Sequence, residues 1–182
     1  MIFKILLQII WFLLPAGFAN MAPVLVRKIN FLNYPIDGGR IFFGERLFGS
    51  NKTWRGLFFG IIFSILTVFI QSFLYSRFFA VRDISFFSYF NANICLVGFL
   101  FGAGALIGDL IKSFFKRRFH IASGKSWVPF DQIDWILGSL IAISLIINLP
   151  WYTWLYALLF FGFLHPVVNI IGYWLKIKPN RF

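Results

Sequence analysis

Five stretches of the chain are apolar over roughly the length a helix needs to cross a membrane: residues 2–25, 57–76, 94–115, 133–149 and 151–175. A helix spanning a hydrocarbon core of ~30 Å needs ~20 such residues. These stretches occupy more than half of the 182 residues, and only 13% of the chain is charged. A soluble domain of this size could not hide that much apolar surface. Disorder is excluded by an aromatic content of 22%, because disordered chains are poor in aromatics. The pattern predicts an all-α, polytopic membrane helix bundle with five transmembrane helices, folded as a single integral membrane domain over 1–182. The single cysteine, Cys95, excludes an internal disulfide framework and a cysteine-based zinc site.

The 17 basic residues outnumber the six acidic ones and alternate between the two sides of the expected membrane. Lys4, Arg77 and Arg82 fall on one side. The other carries Arg27, Lys28, Arg40, Arg46, Lys52, Arg55, Lys112, Lys116, Arg117, Arg118, Lys125, Lys176, Lys178 and Arg181. Basic loops are retained in the cytoplasm. The count therefore predicts the N-terminus outside, the C-terminus cytoplasmic, and cytoplasmic loops over 26–56 and 112–132. The positive charge is assigned to topology and to phosphate binding, with no nucleic-acid partner expected. Lys4, the apolar run after it and Gly17-Phe18-Ala19 loosely resemble a signal peptide. Cleavage there would export the basic first loop, so the segment is read as a true helix.

The acids mark the chemistry. Asp37, Glu45, Asp109, Asp131 and Asp134 fall on the predicted cytoplasmic side, leaving Asp83 on the other. Asp109, Lys112, Ser113 and Lys116 are spaced i, i+3, i+4, i+7 and share one helix face. An acid within a membrane helix points to function by default. Asp131 or Asp134 could cap the next helix, but capping does not account for three carboxylates at one membrane face. Hard divalent cations bind through one or two carboxylates plus substrate phosphates, so Asp109, Asp131 and Asp134 form a candidate Mg²⁺ site.

Loop 1 adds Asp37-Gly38-Gly39-Arg40 and Gly49-Ser50-Asn51-Lys52-Thr53-Trp54-Arg55-Gly56. Glycine-rich backbone before a helix N-terminus suits phosphate. Gly98/Gly102 and Gly104/Gly108 are small-xxx-small pairs. They serve packing within one chain or between two, which leaves a homodimer open. His120 is read as solvated, and His165 as an interhelical hydrogen-bonding residue.

The sequence Gly108-Asp109-Leu110, then Ser113-Phe114-Phe115-Lys116-Arg117-Arg118, then Asp131-Gln132-Ile133-Asp134, closely resembles the CDP-archaeol synthase family. It is also similar, more loosely, to bacterial phosphatidate cytidylyltransferases. Pro35-Ile36-Asp37, Lys52-Thr53-Trp54-Arg55-Gly56, Ala19-Asn20-Met21-Ala22-Pro23 and the His165/Asn169/Tyr173 tail extend the likeness over nearly the whole chain. Ser50-Asn51, Trp135 and the segment 119–127 depart from the family pattern.

The resemblance implies a multi-pass cell-membrane enzyme that converts CTP and a lipid phosphate to a CDP-lipid and pyrophosphate. In the archaeal family the lipid is 2,3-bis-geranylgeranyl-glycerol phosphate. On that reading Asp109, Lys116, Asp131 and Asp134 are catalytic, the three aspartates holding Mg²⁺. Asn20, Asp37, Lys52, Thr53, Arg55, Ser113 and Arg117 contact substrate. Two competing readings are weaker. A CDP-alcohol phosphotransferase needs further carboxylates downstream of Asp37-Gly38 that the chain lacks. A transporter, flippase or scaffold would favour repeats or polar residues at the midplane.

Overall fold

The computed structural model describes residues 2–122, 125 and 127–174, with side chains to residue 164. Its elements are α1 (Ile2–Leu25), β1 (Ile41–Phe42), β2 (Glu45–Arg46), α2 (Trp54–Arg77), α3 (Phe79–Asp83), α4 (Ile94–Arg118), α5 (Phe130–Ile143) and α6 (Trp151–Trp174). The fold is mostly helical. Among the described residues, α1, α2 and α4 are long and apolar enough to cross a membrane.

Local chemistry sets the ends. Thr53 caps α2 by accepting a bond from the Gly56 N–H (3.3 Å), and Asn93 caps α4 by accepting one from the Leu96 N–H (3.1 Å). Helix α4 ends in Lys116-Arg117-Arg118, cations that the helix dipole favours at a C-terminus. It thus runs one turn beyond the expected 94–115 and brings Lys116 and Arg117 out of the predicted loop.

Helix α5 departs more. The expected span 133–149 is observed as Phe130–Ile143, 14 residues or ~21 Å. After Ser144 the chain tightens: Leu145 N–H bonds Ala142 O (3.3 Å) and Ile146 N–H bonds Ile143 O (3.1 Å). These i−3 bonds end the helix. Pro150 then disfavours helical backbone at Leu149, and its carbonyl accepts from Thr153 N–H (3.0 Å) as α6 begins.

Helix α4 is the centre of the bundle, packed against α1, α2 and α5, with α6 on α5 and α1. Both small-residue pairs are spent within the chain. A Cβ on Gly98 would lie 2.5 Å from the Ile65 Cα of α2, and one on Gly102 2.9 Å from the Ser64 Cβ. On the other side, a Cβ on Gly104 would lie 2.5 Å from the Gly138 carbonyl oxygen of α5. Cβ atoms on Gly108 and Gly138 would collide with the carbonyl oxygens of Asp134 and Gly104. The α4–α5 seam is therefore backbone against backbone, and it begins beside Asp109 and Asp134. Gln71 on α2 ties α2 to α1 by donating to the Trp11 carbonyl (2.6 Å), and the Tyr89 hydroxyl donates to Gln71 Oε1 (3.2 Å). Phe12 and Phe101 meet edge to face within the apolar core (5.0 Å).

Gly138→Ala should lower the thermal unfolding midpoint in detergent, by the equivalent of about 1–3 kcal/mol for overpacking. An unchanged midpoint would contradict the seam.

Candidate active site

The polar face of α4 meets the N-terminal turn of α5, and their charges interlock. Lys112 Nζ lies 3.0 Å from Asp109 Oδ1, 2.8 Å from Asp131 Oδ1 and 2.8 Å from Asp134 Oδ2. Lys116 Nζ approaches Asp131 at 3.1 and 3.3 Å. Lys52, just before α2, pairs with Asp109 from the far side. The Trp127 N–H donates to Asp131 Oδ2 (2.6 Å). Three carboxylates and three ammonium groups thus alternate, largely screened from solvent. Sequence spacing puts Lys112 on this face but gives it no role. In the structure its ammonium is the point on which the three carboxylates converge.

Donor chemistry at this point suits a hard cation. Asp109, Asp131 and Asp134 offer oxygens within about 3 Å of one position, and Mg²⁺ takes oxygen ligands at ~2.1 Å. Among the described residues, no group of three His, Cys, Asp or Glu side chains is arranged as a metal site by itself. The Lys112 ammonium holds the central position.

The other expected contact residues divide. Ser113 is buried on the same α4 face. Arg117 is only 8% exposed, and its Nε finds no acceptor among the described residues. A buried guanidinium left open in this way is suited to an anion. Thr53 lines a cavity of about 40 Å³ with Pro23, Lys52 and Asp109, while its hydroxyl oxygen serves as the α2 cap. Arg55 is buried and donates to the Ile29 carbonyl (2.6 Å), so its visible work is to hold loop 1. Asn20 lies one turn before Pro23 on α1. Exposed His120 lies 3.4 Å from half-buried Glu45. The His165, Asn169 and Tyr173 side chains lie outside the described residues.

Asp37 is committed within loop 1. Its expected role was substrate contact, but its side chain is fully buried and its oxygens are committed. They accept from Arg46 Nη2 (2.5 Å) and from the N–H groups of Gly39 (2.9 Å), Phe48 (3.2 Å) and Gly49 (3.1 Å). All four bonds lie within loop 1, which this side chain organises. Burial pushes this carboxyl up, but the Arg46 guanidinium and the three N–H groups outweigh burial and hold it below the usual carboxylate range.

An apolar cavity of about 630 Å³ opens beside the cluster, between α4 and α5. Ile111, Phe115, Phe119, Phe130 and Leu137 form its walls, and Lys112 and Asp134 of the cluster also border it. A separate apolar groove of about 400 Å³ lies between α1 and α6, lined by Leu6, Tyr156, Phe160 and Phe163, with no charged side chain among the described residues that line it.

The family model for CarS-like CDP-archaeol synthases matches residues 2–182. The chain belongs to the CDP-archaeol synthase family. The CDP-archaeol synthase of Methanocaldococcus jannaschii is 34% identical over 179 residues, covering 98% of each chain. That of Methanosphaerula palustris is 36% identical over 175 residues, covering 91% of this chain and 98% of its own. A solved structure of an intramembrane enzyme for archaeal membrane lipid biosynthesis superposes with a TM-score of 0.71 at 28% identity, covering 88% of this chain and 92% of that one. Together with the three membrane-length helices, this makes the chain a multi-pass membrane protein of the family.

The depressed Asp37 carboxyl stabilises loop 1 fully above its unfolded value near pH ~3.9, and that stability is lost as pH falls through the lower folded value. Asp37→Asn should therefore loosen residues 38–49 at neutral pH, by about 1.5–3 kcal/mol, and remove the acid-dependent loss. Native-state hydrogen exchange, corrected for intrinsic rates, reads both effects. Equal protection in the two proteins would contradict this assignment.

Proposed function

We propose that this chain transfers the cytidylyl group of CTP to the phosphate of a membrane lipid, giving a CDP-lipid and pyrophosphate, with the Lys112-centred cluster as its reacting centre. The observation that carries the reading is the juxtaposition of an apolar cavity of about 630 Å³ with that cluster, Lys112 and Asp134 belonging to both. A lipid phosphate is apolar along its chains and doubly charged at its head. A site for it must join an oily trough to a cationic end. The relatives are named as CDP-archaeol synthases, which makes the archaeal ether lipid phosphate, 2,3-bis-geranylgeranyl-glycerol phosphate, the favoured acceptor.

The chemistry needs little proton handling. A phosphate monoester has its second pKa near ~6, so the nucleophilic oxygen is already anionic at neutral pH. It attacks the α-phosphorus of CTP, the bond to the oxygen bridging the β-phosphorus breaks, and pyrophosphate leaves with that oxygen. The barrier lies in bringing two polyanions together and in stabilising charge on the equatorial and leaving oxygens. Lys116 and Arg117 on α4 and Lys52 before α2 supply cations for the phosphates, with Ser113, Thr53 and Asn20 as neutral hydrogen-bonding groups. Arg117 is suited to an anion, since its guanidinium is buried and its Nε has no acceptor among the described residues.

Mg²⁺ is the metal this family chemistry calls for, and Asp109, Asp131 and Asp134 are the residues that would hold it. When bound, it would neutralise triphosphate charge and polarise the α-phosphoryl oxygen. Lys112 gathers the three carboxylates, and its ammonium, on a flexible stem, would turn aside from their point of convergence to admit the cation.

The topology we propose has five crossings, with α5 and the segment to Pro150 together forming the fourth, the N-terminus outside and the reacting centre facing the cytoplasm. It is supported by the distribution of basic residues and by Lys4 pairing with Asp83 (2.7 Å) at the far end of α1 from the cluster.

Purified protein given labelled CTP, Mg²⁺ and the geranylgeranyl ether phosphate should form CDP-lipid and pyrophosphate. Asp131→Asn should lower turnover by about 100-fold or more with an unchanged circular dichroism spectrum. Turnover by Asp131→Asn at the unsubstituted rate would remove that residue from the site. No product from the unsubstituted, folded protein would overturn the reading.

A further inference from the structure

The β1–β2 hairpin is two residues long on each strand, with Ile41 opposite Arg46 and Phe42 opposite Glu45. Its turn is Phe43-Gly44, with φ of 49° and 78°. Positive φ at both central positions defines a type I′ turn, where Asn-Gly or Asp-Gly is preferred. A phenylalanine there accepts an unfavourable backbone conformation. Its ring is also among the most exposed apolar side chains of the protein, at 82%, beside Ile41 at 69% and Phe42 at 46%. In water both features are unfavourable, and nothing else in the described fold covers them.

The hairpin is tied to the end of α4. Arg118 lies between the rings of Phe42 (5.1 Å) and Phe114 (4.5 Å) and donates to the Arg46 carbonyl (3.4 Å). Phe42 itself sits 6.2 Å from Phe114. Phe114 is 20 residues along α4 from Ile94, which is ~30 Å of helix rise and equals the thickness of a hydrocarbon core. A helix that spans the bilayer from Ile94 therefore reaches the headgroup boundary beside the hairpin. Exposed Arg40 immediately precedes it, a cation suited to lipid phosphate.

We propose that the hairpin tip, Ile41-Phe42-Phe43, is an interfacial anchor that inserts into the headgroup–acyl boundary of the bilayer on the side of the reacting centre. Lipid turns the exposure of Phe43 from a cost into a gain. Exposed apolar side chains such as Phe and Ile gain by burial at the headgroup–acyl boundary. A second copy of the chain is the weaker occupant, because so short a tip falls well below the ~800 Å² per partner of a stable interface. The anchor also steadies loop 1, whose Lys52 closes the charge cluster through Asp109.

The test places an environment-sensitive NBD label on Ile41→Cys in the full chain, with the exposed native Cys95 replaced by serine. The protein is reconstituted in phosphatidylcholine–phosphatidylglycerol vesicles. The label should emit as in an apolar medium. It should be quenched several-fold more by a lipid spin-labelled near the headgroup than by aqueous iodide. Adding Phe43→Asn installs a residue the turn prefers, so the hairpin persists while its anchor is gone, and lipid quenching should fall at least twofold. Emission as in water with strong iodide quenching would overturn the proposal. So would protection that ignores lipid quenchers and grows with protein density, which would assign the tip to a second copy. Lipid quenching unchanged by Phe43→Asn would overturn the role of Phe43.

Discussion

The fold turns on one charge compensation: the ammonium of Lys112 held among Asp109, Asp131 and Asp134. Charges at a membrane face, largely removed from solvent, persist only when paired and hydrogen-bonded. Here each carboxylate touches at least one ammonium group, and Lys52 and Lys116 extend the network outward. Removing one member of such a set leaves an uncompensated charge, at a typical cost of about 3–5 kcal/mol. The cluster is thus a structural joint between α4 and α5.

That joint depends on how closely the two helices approach. Gly104, Gly108 and Gly138 bring backbone against backbone along the seam, which sets Asp109 and Asp134 within reach of the same nitrogen. The apolar cavity runs beside the same seam, bordered by Gly108 and Gly138 as well as by Phe115, Phe119 and Phe130. Polar and apolar halves of one site therefore follow from a single packing choice. Loop 1 completes it from the other side, where Asp37 uses its whole carboxylate to shape the turn that delivers Lys52 and caps α2 at Thr53.

Much of this was legible in the sequence, for identifiable reasons. Long apolar runs define helices α1, α2 and α4 because length and composition alone decide them. Scarcity made the acids informative, and the i, i+3, i+4, i+7 spacing placed Asp109, Lys112 and Lys116 on one face. The meeting of Lys112 with all three aspartates was not legible, since it depends on the approach of two helices distant in sequence. The place of Asp37 at the centre of loop 1 was not legible either, since its partners Arg46, Phe48 and Gly49 lie nine to twelve positions on. The early end of α5 reflects i−3 bonding before Pro150, which hydropathy does not register. The hairpin escaped notice because Phe-Gly is not the usual sign of a type I′ turn.

The central claim is that the lipid phosphate lies in the α4–α5 cavity with its head at the Lys112 cluster. The most direct test is photo-cross-linking with a geranylgeranyl ether phosphate carrying a diazirine on its first isoprene unit, in the presence of Mg²⁺ and a non-hydrolysable CTP analogue, followed by peptide mapping. Adducts should concentrate on Ile111, Phe115, Phe119 and Phe130 and be displaced by unlabelled lipid phosphate. Adducts concentrated instead on Leu6, Tyr156 and Phe160, in the apolar groove between α1 and α6, would contradict the account.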